Sequence, residues 1–275
     1  MSAMAHVTTT EAGPRAGVSA SAPDPGHRAW VEHLMGMPVS VHARGAGARA
    51  PEVDAAVQEV FAELRRLEAI FSTYRPDSEI SRLQRGSLSL EEASDVVREV
   101  HRLCVTARER TRGAFDAWRA VPDEPGLFDP TGLVKGWAIA RASAVLEGLG
   151  PSMAVDAGGD LVVVPGDEPY TWTVGIEDPA DRTRVLARVA LADGAVATSG
   201  TAARGLHITD PRTGRPATTL ASATVVGPSL LWADVFATAA VALGEDARAF
   251  VEGLHGTSGL LVLPDGTRHA WANEV

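Results

Sequence analysis

Apolar residues recur every three to four positions in three early stretches of the chain. In PEVDAAVQEVFAELRRLEAIF (51–71), Val53, Val57, Val60, Leu64, Leu67 and Phe71 fall on one face. With Pro51 near the start, this predicts an amphipathic helix. EEASDVVREVHRLCVTARERT repeats the pattern with Val96, Val100, Leu103 and Ala107. A third helix is expected from near Leu133 to Leu149, closed by Gly150. Ahead of these, WVEHLMGMPVSVHARG reads as one or two strands around a break at Gly36.

From Met153 the period shortens. SMAVDAGGDLVVVPG, YTWTVGIEDP, RVLARVALAD, AVATSG, GLHITDP and ASATVVG are short β-rich runs bounded by Gly, Pro and Asp. LLWADVFATAAVALG then predicts a helix, followed by another from Glu245 to Leu254. Two final strands meet at Pro264-Asp265-Gly266. Helices cluster early and strands late, which predicts an α+β fold of mixed or antiparallel sheets flanked by helices. There is no internal repeat, and no strand–GxGxxG–helix unit speaks for a Rossmann cofactor site.

Composition narrows the function classes. The chain has 275 residues, 45% hydrophobic and 22% charged, within the range of an ordinary globular protein. A net charge of −10 argues against a nucleic-acid footprint, which needs clustered Lys and Arg. It does not exclude small anionic ligands. The single cysteine, Cys104, rules out an intramolecular disulfide and reads as a small core residue. No run approaches the ~18 apolar residues of a membrane-spanning helix. Residues 1–27 are rich in Ala, Gly, Pro, Ser and Thr, with no apolar signal core and no lipid-acceptor cysteine. They read as a disordered tail on one compact unit, 28–275, and cytoplasmic residence is the expectation.

Four stretches carry candidate chemistry. In FDPTGLVKGWAIARA, Thr131 is placed to cap a helix starting near Gly132. Lys135 then falls in the first turn, where the helix dipole disfavours a cation. It is either a solvated surface lysine or the partner of an anion, such as a phosphate or Asp129. In AVDAGGDLVVV, Gly158-Gly159 serves equally as a hairpin turn or a ligand loop, flanked by Asp156 and Asp160. In GAVATSGTAARGLHITDPRTGRP, Thr198, Ser199 and Gly200 could face an anion. His207 on its short strand is structural by default, and the absence of a second His or Cys at ligand spacing disfavours zinc. In the Ala-rich helix, Asp234 and Thr238 stand four apart on one face with no basic neighbour. Three readings remain open: Asp234 as a helix cap, Thr238 bonded back to a carbonyl, or both oxygens on a hard cation.

Taken in order, LMGMPVSV, FSTYRPDSEISRL, GAFD, DPTGLVKGWA, VDAGGDL, AVATSG, HITDPRTGRP and ADVFATAA resemble the FAD:protein FMN transferase (ApbE type) family, over roughly residues 34–243. The resemblance implies an ApbE-like fold and an enzyme that binds FAD with Mg²⁺ and transfers FMN to a Ser or Thr of an acceptor protein, releasing AMP. It implies Asp234, Thr238 and the Gly132 carbonyl as metal ligands. Met35, Tyr74, Ala114, Phe115, Asp116, Asp129, Lys135 and Thr209 are implied to line the FAD, with Asp156 to Asp160 as an adjoining loop. His207 is the candidate general base, because an imidazole titrates near 6.5.

The chain departs from the family pattern in several places. Met37 stands where the family reads Thr, and Ala140 replaces an acid. The segment between TSG and HITDP is short, and the family's usual export signal is absent. A Mg²⁺-dependent FAD pyrophosphatase and a non-catalytic FAD-binding protein are the rival readings.

Overall fold

The protein is described from a computed structural model covering residues 7–14, 26–121, 124–200 and 208–274. Strand β1 (Val7–Pro14) lies within the segment expected as a tail. Its β-branched start, Val-Thr-Thr-Thr, suits an extended backbone. β2 (His27–Leu34) and β3 (Met37–Arg44) form a hairpin. Their two-residue turn, Met35-Gly36, has both φ angles positive, at 53° and 73°, the sign that tight hairpins require.

α1 (Pro51–Phe71) buries the expected stripe, from Val53 through Phe71. α2 (Glu79–Gln84) is too short to show a period in sequence. It is held by Ser78, whose Oγ accepts from the Ser81 N–H at 3.0 Å. α3 (Asp95–Arg110) follows, then a small hairpin of β4 (Trp118–Val121) and β5 (Glu124–Phe128). α4 (Thr131–Ser143) ends in a 3-10 turn, Ala144–Leu146.

The strand-rich half runs β6 (Ser152–Ala157), β7 (Asp160–Val164), β8 (Trp172–Glu177), β9 (Arg184–Leu191) and β10 (Gly194–Gly200). A two-residue ladder, β11 (Thr209–Asp210) with β12 (Arg215–Pro216), precedes β13 (Ser222–Gly227). α5 (Leu230–Leu243) and α6 (Ala247–Glu252) lead to the closing hairpin of β14 (Ser258–Val262) and β15 (Arg268–Ala272).

Eight strands make one antiparallel sheet in the order β15-β14-β13-β10-β7-β6-β3-β2. A three-stranded sheet, β1-β9-β8, forms a second layer. Alternation along the central strands divides the core between the two faces. Ala195, Ala197, Ala223 and Val225 face the helices, whereas Val196, Val226, Leu161 and Val163 join Leu186, Val189 and Leu191 of the smaller sheet. α5 packs on β10 and β13 and against α4, and is buried nearly all round. That position explains why its sequence is apolar apart from Asp234 and Thr238, since it has almost no solvent face to make polar. The architecture is the expected α+β arrangement of helices with antiparallel sheets. Among the described residues no helix is long and apolar enough to cross a membrane.

Candidate functional site

Two hairpin turns meet at one end of the large sheet. β3 pairs with β6 so that Val39 faces Ala157, which sets the Met35-Gly36 turn beside Gly158-Gly159. Gly158, at φ +64°, lies so close to Met37 that an added Cβ would come 3.0 Å from its sulfur. Asp160 opens β7 directly after this turn and is fully buried. Its Oδ1 accepts the Thr198 N–H of β10 at 3.1 Å. The Thr198 hydroxyl lies 2.8 Å from that of Thr224 on β13.

α4 and α5 complete this end. Gly136 leaves room for the approach: a Cβ there would meet Asp234 Cβ and the Leu230 carbonyl oxygen, each at 3.0 Å. The Gly136 N–H donates to Asp234 Oδ2 at 3.2 Å. Lys135 Nζ stands 2.5 Å from Asp160 Oδ2 and 3.5 Å from Asp234 Oδ1. The buried Asp160 Oδ2 thus has the Lys135 ammonium as its ion-pair partner. One turn beyond Asp234, Thr238 Oγ1 is 2.9 Å from Ser199 Oγ.

This geometry resolves two of the open readings and corrects one expectation. α5 begins at Leu230 with Ser229 before it, so Asp234 is inside the helix and not its cap. Lys135 is the partner of buried carboxylates and not a solvated surface lysine. Thr131 is the first residue of α4, preceded by Pro130, and does not cap it. Asp129 supplies the acceptor instead, taking the Thr131 N–H at 3.1 Å and its O–H at 2.7 Å. A carboxylate suits that end of a helix dipole, and Pro130 leaves the preceding loop one donor fewer to satisfy.

Burial dominates the electrostatics. Desolvation pushes the Asp234 carboxyl up to about 7, with Lys135 opposing the rise and Asp160 adding to it. Burial likewise raises Asp156, whose Oδ1 accepts from the Gly159 N–H at 3.3 Å. Among the described residues no three His, Cys, Asp or Glu side chains converge on a metal position. A hard cation here would rely on carboxylate, hydroxyl and carbonyl oxygens with water, the donor set that suits Mg²⁺. The Asp160 oxygen that faces Lys135 and the buried carboxylate of Asp234 fit such an ion.

The other expected residues are placed as follows. Gly132 lies in the first turn of α4, where an added Cβ would sit 3.3 Å from the Phe115 ring. Ala114 and Phe115 are buried, and the Phe115 N–H donates to Thr111 Oγ1 at 3.0 Å. Asp116 is engaged by the Trp118 N–H at 2.9 Å and by Arg108 at 3.2 Å. Met35 sits in the hairpin turn at the same end of the sheet, and Tyr74 is 96% exposed on the segment after α1. Thr209 is exposed on β11, which packs near α5. His207 lies outside the described residues. The pairing of Asp160 with Lys135 and of Ser199 with Thr238 was not foreseen from sequence. Cavities of about 550 Å³ beside α1 and α4, lined by Glu63, Arg66 and Arg141, and of about 300 Å³ beside β12 are separate features.

Comparison with known proteins gives a consistent set of likenesses. The sequence matches the ApbE family over residues 35–121 and 120–261. It is 29% identical over 157 residues to an FAD:protein FMN transferase of Klebsiella pneumoniae, covering 52% of this chain and 45% of that protein. A matched stretch of 45% is less than half of that relative's length. An FAD:protein FMN transferase of Treponema pallidum is 28% identical over 297 residues, covering 82% of each. In three dimensions the chain resembles the ApbE protein of Thermotoga maritima, with a TM-score of 0.76 at 21% identity. That likeness covers 89% of this chain and 96% of the other, and it shows a shared fold.

Proposed function

The chain belongs to the ApbE family, and we propose that it transfers FMN from FAD to a Ser or Thr hydroxyl of an acceptor protein, releasing AMP. The observation that carries this reading is the Lys135 ammonium held between two buried carboxylates at the end of the sheet. Phosphoryl-type transfer requires positioned charge more than covalent help from side chains, and this centre supplies it.

In this reading Asp234 and Thr238, with the Gly132 carbonyl, hold Mg²⁺. When bound, the ion neutralises charge on the phosphate oxygens. Lys135 would orient the diphosphate as a mobile point charge on a long stem. The Phe115 ring packs against the Gly132 turn and limits the space beside it. Ser199 holds the Thr238 hydroxyl in one orientation. Met35, Tyr74, Ala114, Asp116, Asp129 and Thr209 line the bound FAD.

The transfer balances as a single displacement. The acceptor hydroxyl oxygen forms a bond to the FMN phosphorus, and the bridging P–O bond to AMP breaks with its electron pair on AMP. The hydroxyl proton passes to a base, for which His207 is the candidate. An assay with FAD, Mg²⁺ and a Ser/Thr acceptor protein tests the reading by measuring AMP and covalent flavin separately. Equal yields are expected. AMP accompanied by free FMN alone would mean that water is the acceptor and the protein is a pyrophosphatase.

A further inference from the structure

Each carboxylate at the centre has one oxygen fixed and one offered. Asp160 Oδ1 is tied to the Thr198 N–H, and Asp234 Oδ2 to the Gly136 N–H. The remaining oxygens, Asp160 Oδ2 and Asp234 Oδ1, are the two that face Lys135 Nζ. They are also the oxygens available to an incoming cation. The acids are buried and held by backbone, whereas the Lys135 side chain is 23% exposed and carries a flexible stem. Of the three charged groups, the ammonium is the one built to move.

We propose that Lys135 is an internal counter-ion, which occupies the place beside Asp234 until a divalent cation and the substrate's diphosphate arrive together, so that metal and FAD bind with positive coupling. The proposal rests on the flavin-transferase reading and adds a binding order to it. Two carboxylates and one ammonium leave a single negative charge when all are ionised. A divalent ion alone overshoots that balance and is repelled by the ammonium at short range. A diphosphate alone deepens the negative charge and is repelled by both acids. With both present, the ion takes the carboxylate oxygens and the ammonium passes to the phosphate oxygens, so each ligand removes the obstacle to the other. Coupling of this kind is reciprocal by linkage: whatever factor the diphosphate adds to metal affinity, the metal adds to diphosphate affinity.

Mn²⁺ titrations followed by electron paramagnetic resonance test this on the full chain, with ADP as a diphosphate that carries no transferable FMN. For the wild type, ADP is expected to tighten Mn²⁺ binding at least tenfold, and Mn²⁺ to tighten ADP binding by the same factor. In Lys135→Gln, Mn²⁺ alone should bind about tenfold more tightly than to the wild type, and the coupling should fall below threefold. Lys135→Arg, which keeps a cation, should restore most of the coupling. Independent binding of the two ligands to the wild type, a measurement that needs no variant, overturns the proposal. So does unchanged or weaker Mn²⁺ binding in a folded Lys135→Gln. If the wild type forms covalent flavin from FAD while Mn²⁺ and ADP bind independently, only the counter-ion role falls. If it binds neither Mn²⁺ nor FAD, the transferase reading falls with it.

Discussion

Lys135 Nζ reaches to within 3.5 Å of Asp234 Oδ1 from a neighbouring helix. α5 itself supplies no basic residue, and the acid's partners arrive with a segment about 98 residues upstream, where Gly136 also donates its N–H. The charge centre is thus created by helix packing and not by sequence proximity. Its properties follow from how closely α4 and α5 approach and how completely the pair is buried.

Gly136→Ala tests the approach. A methyl group there would lie 3.0 Å from both Asp234 Cβ and the Leu230 carbonyl oxygen, so the helices must separate by a few tenths of an ångström. Overpacking of this kind costs ~1–3 kcal/mol, readable by urea unfolding. Flavin transfer should fall with it, because the Asp234 contacts depend on the same spacing. Unaltered stability would mean that the interface is looser than the geometry implies.

The pH dependence of the metal-free protein tests the burial. The Asp234 carboxyl is raised from 3.8 to about 7, so the folded protein keeps a proton that the unfolded chain has already released. Between those values the unfolded state binds fewer protons, and this group's contribution to stability falls as pH rises. Below the window the contribution is fully present, and above it the loss is complete. Asp234→Asn cannot titrate, so its stability relative to wild type should improve from pH 4 to 7 and then level off. A flat or declining difference would contradict the account.

Thr238 is expected to act through its hydroxyl. Thr238→Val keeps the side chain's shape and removes the oxygen that meets Ser199 at 2.9 Å. Turnover with Mg²⁺ should drop at least tenfold, and Thr238→Ser should retain most of it. Equal losses in the two variants would assign Thr238 to packing alone.

Asp129 anchors the start of α4 through two hydrogen bonds to Thr131. Asp129→Ala should cost about 1 kcal/mol of stability, as other lost helix caps do, and should raise the apparent KM for FAD. Asp129→Asn should recover most of the stability. Stability unaffected by either change would show that water satisfies those donors.

Much of the fold was legible because long periodic elements declare themselves. The α1 stripe from Val53 to Phe71 and the Gly- and Pro-bounded strands after Met153 lie where their patterns predict. The elements that were missed lack such signals. α2 spans six residues and depends on the Ser78 cap, β1 lies in a low-complexity segment, and β4-β5 is a short irregular hairpin. At the site, single motifs marked Lys135, Asp234 and Thr238 as unusual but left their partners open. The link from Lys135 to Asp160 depends on which strand lies beneath α4, and that from Thr238 to Ser199 on α5 crossing β10. Long-range packing decides both, and no local period reports it.

The most direct test is the yield of AMP and covalent flavin from Asp234→Ala compared with wild type, with FAD, Mg²⁺ and an acceptor protein. The far-ultraviolet circular dichroism of the two should match. Loss of this charge centre is expected to lower both products by roughly a hundredfold or more, with the fold retained. Wild-type yields from a correctly folded Asp234→Ala would place the chemistry elsewhere in the molecule.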